Sequence, residues 1–254
     1  VLADAALKGI IPKATPARVS LRVKNTNTAP FNMVAGRRLT DSNGFFYEVD
    51  QPVTVPAAAD AATPGIASVV AVQRTVRNVE HTVAESVGFY AIEVPPSEDG
   101  RYLSGLQLSD EAGYQFVYTP SFINVAVDEK VFHVEVDEYQ RVFVKFGLGG
   151  VVGYQPSAGE KFTVTVLESN GDVRSAIGSP FALEYAYTPA DSMVSVEYAE
   201  LVSAGSNPIG ISELRELCRY PSAYDESAVF MGGFDFLVRR NITGLQFLSI
   251  WNEQ

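Results

Sequence analysis

Two stretches of this chain hold residues whose types and spacing could do chemistry. In residues 141–166, RVFVKFGLGGVVGYQPSAGEKFTVTV, a strand breaks into Gly147, Gly149, Gly150 and Gly153. In KVFHVEVDE, His133, Glu135 and Asp137 alternate with Phe132, Val134 and Val136, so the three polar side chains share one strand face. The first pattern suggests a phosphate cradle. The second suggests a metal or acid–base patch.

The glycine run opens like a dinucleotide fingerprint, in which glycines start a helix whose N-terminal amides meet pyrophosphate. Here Gly153, Pro156 and Gly159 fall where the helix interior should be, and KFTVTV follows as another strand. The Gly-Lys-Ser/Thr ending of a P-loop is missing. Parallel strands need a crossover of about a dozen or more residues. The stretch therefore reads as a hairpin whose glycines serve positive φ values or tight backbone contacts.

The acid–histidine face is equally bland. His81 and His133 are the only histidines and lie in different strands, with no cysteine and carboxylate cluster beside them. His133, Glu135 and Asp137 read as the solvent face of an antiparallel strand. A β-rich hydrolase would have to use acids such as Glu135 or Asp137, and a glycosidase needs carboxylates on both sides of a sugar. No Gly-x-Ser-x-Gly elbow occurs, and Asn241-Ile-Thr is a lone glycosylation triplet. Cys218, in SELRELCRY, reads as a buried thiol. No catalytic, cofactor-binding or metal-binding residue is expected, and no enzymatic activity.

Composition narrows the class. The 254 residues are 46% hydrophobic and 19% charged, an ordinary globular balance with enough chain for a sizeable core. Against 30 acidic residues stand 19 basic ones, a net charge of −11. That disfavours binding to a phosphate backbone, which needs clustered Lys and Arg. No apolar run reaches the length of a membrane-spanning helix. One cysteine allows no intrachain disulfide, which fits folding in a reducing cytoplasm.

The elements that must position these residues are mostly strands. VLADAALKG reads as a helix end stopped by Gly9 and Pro12. PARVSLRVKNT alternates Val19, Leu21 and Val23 with polar residues. DSNGFFYEVDQPVTVP holds an Asn43–Gly44 turn and a strand, and ASVVAVQRTVRNVEHTVA alternates again. GFYAIEVP, YQFVYTPSFINVAV, KVFHVEVDE, RVFVKFG, KFTVTVLES and FALEYAYTP follow at short spacing, bounded by turn residues. A helix starts near Ser212 and ends before Pro221. Phe234, Leu237, Val238 and Asn241 mark a second short helix, and LQFLSIWNEQ a last strand. The expected fold is mainly β with a smaller α part: antiparallel, sandwich-like β domains, with short helices at the N-terminus and in the last quarter. The expected segments are 1–76, 77–187 and 188–254.

In order along the chain, these motifs resemble the baseplate J-like group, wedge proteins of contractile phage tails. Members carry a strand, FG-x-G, G-x-x-P-x-x-G, and a strand leading into a glycine and asparagine turn. VFVKFGLGGVVGYQPSAGEKFTVTVLESNG matches at Phe146, Gly147, Gly149, Gly153, Pro156, Gly159 and Asn170–Gly171. SELRELCRYPSAYDESAVFMGGFDFLVRR is similar to the family's later helices through Glu213, Arg215, Pro221 and Asp235–Phe236. ADAALKGIIPKATPARVSLRVKNTN and MVAGRRLTDSNGFFYEV look like its opening segments. Leu148 stands where the family often has Asp, and VFMGG replaces its usual basic residue and threonine.

The resemblance implies a non-catalytic structural subunit of the baseplate, located in the virion and assembled in the host cytoplasm. Its partners would be copies of itself and other wedge proteins, with no nucleic acid, membrane, cofactor or small-molecule substrate. The apolar ends of the chain either pack on its own core or offer Leu2, Ala5, Ala6, Leu237 and Trp251 as partner-interface residues. The alternative is a glycan- or receptor-binding β-sandwich, adhesin-like, with exposed tyrosines as stacking platforms. Trp251 is the only tryptophan, which weighs against that.

Overall fold

The computed structural model describes residues 10–60 and 62–218, together with positions 5, 234, 238, 242 and 247–249. It is mainly β. The strands, in chain order, are β1 (Arg18–Asn25), β2 (Phe31–Met33), β3 (Arg38–Asp41), β4 (Phe46–Val49), β5 (Val53–Val55), β6 (Gly65–Val72) and β7 (Thr75–Thr82). They continue with β8 (Ala91–Val94), β9 (Tyr102–Asp110), β10 (Gln115–Tyr118), β11 (Val131–Val136), β12 (Val142–Lys145), β13 (Lys161–Ser169), β14 (Pro180–Leu183) and β15 (Val194–Ser203). A 3-10 turn covers Pro189–Met193, and helix α1 covers Ile211–Cys218.

Three consecutive segments were expected, but the chain forms two interleaved units. One comprises Val1–Lys13, Val76–Leu167 and Pro208–Gln254, the other Ala14–Thr75 and Glu168–Asn207. One boundary, between Thr75 and Val76, lies one residue before the expected boundary after residue 76. Residues 14–75 return for a second segment because β1 needs β15 as its neighbour.

In the second unit six strands close into a barrel, in the order β1-β15-β14-β3-β4-β6, with β6 pairing back to β1. All these pairs are antiparallel. This differs from the expected sandwich, because closure leaves no sheet edge to cover. Alternation along β1 puts Val19, Leu21 and Val23 into a core with Leu39, Tyr47, Val69, Phe181 and Val196. The β2–β5 ribbon adds Phe31, Met33 and Val55 to the same core.

The first unit is a seven-stranded sheet in the order β7-β13-β9-β10-β11-β12-β8. One short pair is parallel: β10 with β11, through Val117–Val131 and Tyr118–Phe132. The sheet curls enough for side chains to join its two edge strands. Arg77 on β7 donates to the Pro95 carbonyl beyond β8 at 2.8 Å, and His81 meets the Tyr90 hydroxyl at 2.7 Å. Phe116, Phe132, Phe146, Phe162, Val144 and Val164 centre the core.

Helix α1 begins one residue before the expected Ser212 and buries Leu214 and Leu217, as its spacing requires. At the N-terminus Ala5 is helical, and its carbonyl accepts the Ile10 amide at 2.8 Å. The rest of that predicted helix lies outside the described residues. Of the second predicted helix, Phe234 and Val238 are described and helical. Of the last predicted strand, only residues 247–249 are described, and they are irregular. No described helix is long and apolar enough to cross a membrane.

Candidate functional site

The glycine-rich run forms the loop from β12 to β13, and it is not a hairpin. β12 already has β11 and β8 on its two edges, while β13 lies between β7 and β9. The loop must therefore reach a non-adjacent strand, and its backbone is held along the way. Phe146 anchors the start: it is fully buried, with its ring 4.8 Å from Phe162 and 5.9 Å from Phe116. Gly147 donates its amide to the Tyr154 carbonyl (2.9 Å) and accepts the Phe89 amide (2.8 Å). Leu148 and Val152 then exchange amide–carbonyl bonds at 2.7 and 2.9 Å, a tight reversal that passes through Gly150 at φ +72°.

The remaining motif residues fasten this reversal to neighbouring segments. Gly149 donates to Gln155 Oε1 at 2.8 Å. Gly153 donates to the Ala126 carbonyl (2.8 Å) and accepts from the Asp128 amide (3.0 Å). The Pro156 carbonyl accepts the Ser86 hydroxyl at 2.8 Å. Gly159 donates to the Val83 carbonyl at 2.8 Å. The amides of Gly147, Gly149, Gly153 and Gly159 are thus all directed at this chain's own acceptors. A phosphate cradle needs such amides converging on empty space, so the arrangement is a structural brace. Around it Phe89, Val127 and Val151 are exposed, and Phe89 has φ +54°.

His133, Glu135 and Asp137 do not converge either. His133 is only 4% exposed, which corrects its expected place on a solvent face. Its Nδ1 lies 3.0 Å from the Thr119 carbonyl, and its ring packs on Phe122 at 5.9 Å. Glu135 pairs with Lys145 on the neighbouring strand at 2.6 Å. Asp137 lies beyond the end of β11 and caps a turn, accepting the Tyr139 and Arg141 amides at 2.9 and 2.8 Å. Each group is satisfied separately. Among the described residues no three His, Cys, Asp or Glu side chains are grouped to hold a metal ion.

Of the expected interface residues, Ala5 is completely buried within its own chain, which removes it from any partner surface. Leu2, Ala6, Leu237 and Trp251 lie outside the described residues.

Two clusters escape sequence reasoning because their members are scattered along the chain. In the barrel unit, Arg37 Nη2 lies 3.0 Å from Asp191 Oδ1 and donates to the Tyr185 carbonyl at 2.7 Å. Its guanidinium stacks 4.5 Å from the centre of the Tyr187 ring. Asp191 Oδ2 accepts the Tyr187 and Thr188 amides, both at 2.8 Å. Burial alone would raise the Asp191 carboxyl, but the Thr188 amide and the Arg37 charge outweigh it and hold it below its ordinary value. A mostly buried ion pair therefore presents two exposed tyrosines. In the other unit, Lys130 sits among aromatic rings and Asp110.

Compared with known proteins, the chain matches no family model, and no curated protein sequence matches it significantly.

Proposed function

We propose that this chain is a structural subunit of a contractile-tail baseplate. It acts as a wedge protein that assembles with copies of itself and with other wedge proteins, and it passes on the change that triggers sheath contraction. The observation that carries the reading is the use made of the motif residues. Phe146, Gly147, Gly149, Gly153, Pro156 and Gly159 brace a loop onto its neighbours rather than bind a ligand. Such a braced loop holds its shape under load, because packed elements are bistable rather than soft. The exposed Phe89, Val127 and Val151 beside it offer contact area to a partner. The chain does this work without catalysis or cofactor, in the virion.

Light scattering after gel filtration tests the proposal, on the chain alone and mixed with its co-encoded tail proteins. A dimer or a stable complex with a second tail protein is expected. A monomer indifferent to every tail protein overturns it.

A second reading, a glycan- or receptor-binding module, is favoured by Tyr185 and Tyr187, which are 57% and 72% exposed with rings 6.1 Å apart. Exposed aromatic rings beside a buried ion pair, which packs on Tyr187 and bonds the Tyr185 carbonyl, suit stacking on a ligand. A glycan array probed with the isolated chain distinguishes this reading from the first.

A further inference from the structure

The Lys130 cluster in the seven-stranded unit has the make-up of an ammonium site. The Lys130 Nζ stands 4.4 Å from the Tyr114 ring centre, 5.5 Å from Phe116 and 5.7 Å from Tyr154. Cation–π attraction operates within about 6 Å of a ring centre, and aromatic cages for alkylated ammonium groups use this geometry. The Asp110 carboxylate completes the cage at 2.9 Å. Four elements build it: the end of β9 with Asp110, the turn after it with Tyr114, strand β10 with Phe116 and the braced glycine loop with Tyr154. Phe116 meets Tyr114 and Tyr154 edge-on, with ring planes at 87° and 71°, so the rings are fixed relative to one another.

Two further observations separate this cluster from an ordinary surface lysine. The first is charge. Tyr154 donates its hydroxyl to Glu160 at 2.7 Å, and its phenol, raised first by burial, also feels Glu160, Asp110 and Asp128. The Asp110 carboxylate, bonded to Lys130, and the Glu160 carboxylate, bonded to Tyr154, give the cage a negative lining that favours a cation. The second is that the sheet holds the occupant by its backbone and not by its side chain. The Lys130 backbone is fixed, since its carbonyl accepts the Val117 amide at 3.1 Å, whereas the side chain is 35% exposed. The side chain can swing out while the strand pairing stays intact.

We propose that Asp110, Tyr114, Phe116 and Tyr154 form a recognition cage for an alkylammonium group, and that Lys130 is its resident, displaceable occupant. The ligand is a lysine-type primary ammonium or an N-methylated ammonium; both present the same cation to rings and carboxylate.

Thermal unfolding of the full chain carrying Lys130→Ala tests this. n-Butylammonium and tetramethylammonium chlorides are titrated against sodium chloride at matched ionic strength. At about ten times its dissociation constant the bound salt raises the melting temperature by about 3 °C. Sodium gives no such saturable rise, and adding Asp110→Asn abolishes it. A stronger effect of butylammonium identifies a lysine side chain as the source, and a stronger effect of tetramethylammonium identifies a methylated one. Equal effects of all three salts overturn the cage. A second measurement covers the case in which Lys130→Ala does not fold. The wild-type chain is reductively dimethylated with carbon-13, and the Lys130 signal is assigned by its loss in Lys130→Arg. Ring currents displace that signal, and tetramethylammonium moves it toward the position of exposed lysines. A Lys130 signal that never moves overturns the proposal.

Discussion

Gly147 and Val152 pass so close that a Cβ built on Gly147 would stand 2.0 Å from the Val152 carbonyl oxygen. No side chain fits that gap, and the obstacle is backbone, which cannot rotate away. Gly147→Ala is therefore expected to force the reversal apart and to destabilise the chain by about 1–3 kcal/mol, as overpacking does. Gly150 offers the contrast. It has φ +72° but nothing within 4 Å of a built Cβ. Gly150→Ala pays only the left-handed backbone penalty, about 1–2 kcal/mol. Urea unfolding midpoints of the two variants check the ranking. A Gly147→Ala midpoint equal to that of the wild type would show that the close approach is not needed.

Gln73 is completely buried in the barrel unit, between β6 and β7. Its Oε1 accepts the Ser169 hydroxyl at 2.6 Å and the Asn170 amide at 2.9 Å, and its Nε2 donates to Asn170 Oδ1 at 2.8 Å. Gln73→Leu keeps the volume but leaves these partners unsatisfied. Each buried polar group so stranded costs about 1–3 kcal/mol. A matching loss in the urea midpoint is expected, and an unchanged midpoint would mean that water replaces the amide.

Gln73 also shows why part of the fold was hidden. The apolar alternation of residues 67–84 runs through it without a turn signal, and the expected segment boundary after residue 76 falls inside that alternation. Gln73, a buried amide bonded to residues almost a hundred positions away, lies between β6 in the barrel and β7 in the other sheet. Strands with strong local alternation, such as β1, β11 and β13, were legible. β9 is hard to see in the sequence, because Ser104, Gly105 and Gln107 dilute its pattern. β15 is equally hidden; its pairing with β1 closes the barrel from far along the chain. The glycine brace is legible as a motif, but the place of β13 between β7 and β9 is not, since strand order leaves no local trace. His133 was misplaced for a related reason. Period-two alternation assigns faces, yet β11 is covered on both, so a polar residue can be buried against a carbonyl.

The Arg37–Asp191 pair should govern acid stability. Both side chains are largely buried, at 12% and 3% exposure. Asp191→Ala leaves the Arg37 guanidinium without its counter-charge and is expected to cost about 3–5 kcal/mol. The folded carboxyl titrates below its ordinary value. Its contribution is therefore complete above the unfolded value of about 3.9 and is lost as pH falls through the folded one. Unfolding free energies measured at descending pH should drop in that window for the wild type. Asp191→Asn should flatten this part of the curve, and an unaltered acid limb would remove the pair from the account.

Alkaline stability turns on two phenols. Burial first of all pushes Tyr47 up to about 12, and burial followed by the Glu160 hydrogen bond pushes Tyr154 up to about 12. An unfolded phenol ionises near 10. The folded chain thus holds protons that the unfolded chain releases. This stabilisation is full below pH about 10 and is lost as pH rises through the folded values. Phenolate absorbance should show a late step that coincides with unfolding. Tyr47→Phe keeps the ring, which packs edge-on against Phe181 at 5.0 Å, and removes one ionisation. The variant should therefore resist alkali further than the wild type does. Identical base limbs for the two proteins would mean that Tyr47 ionises without opening the barrel.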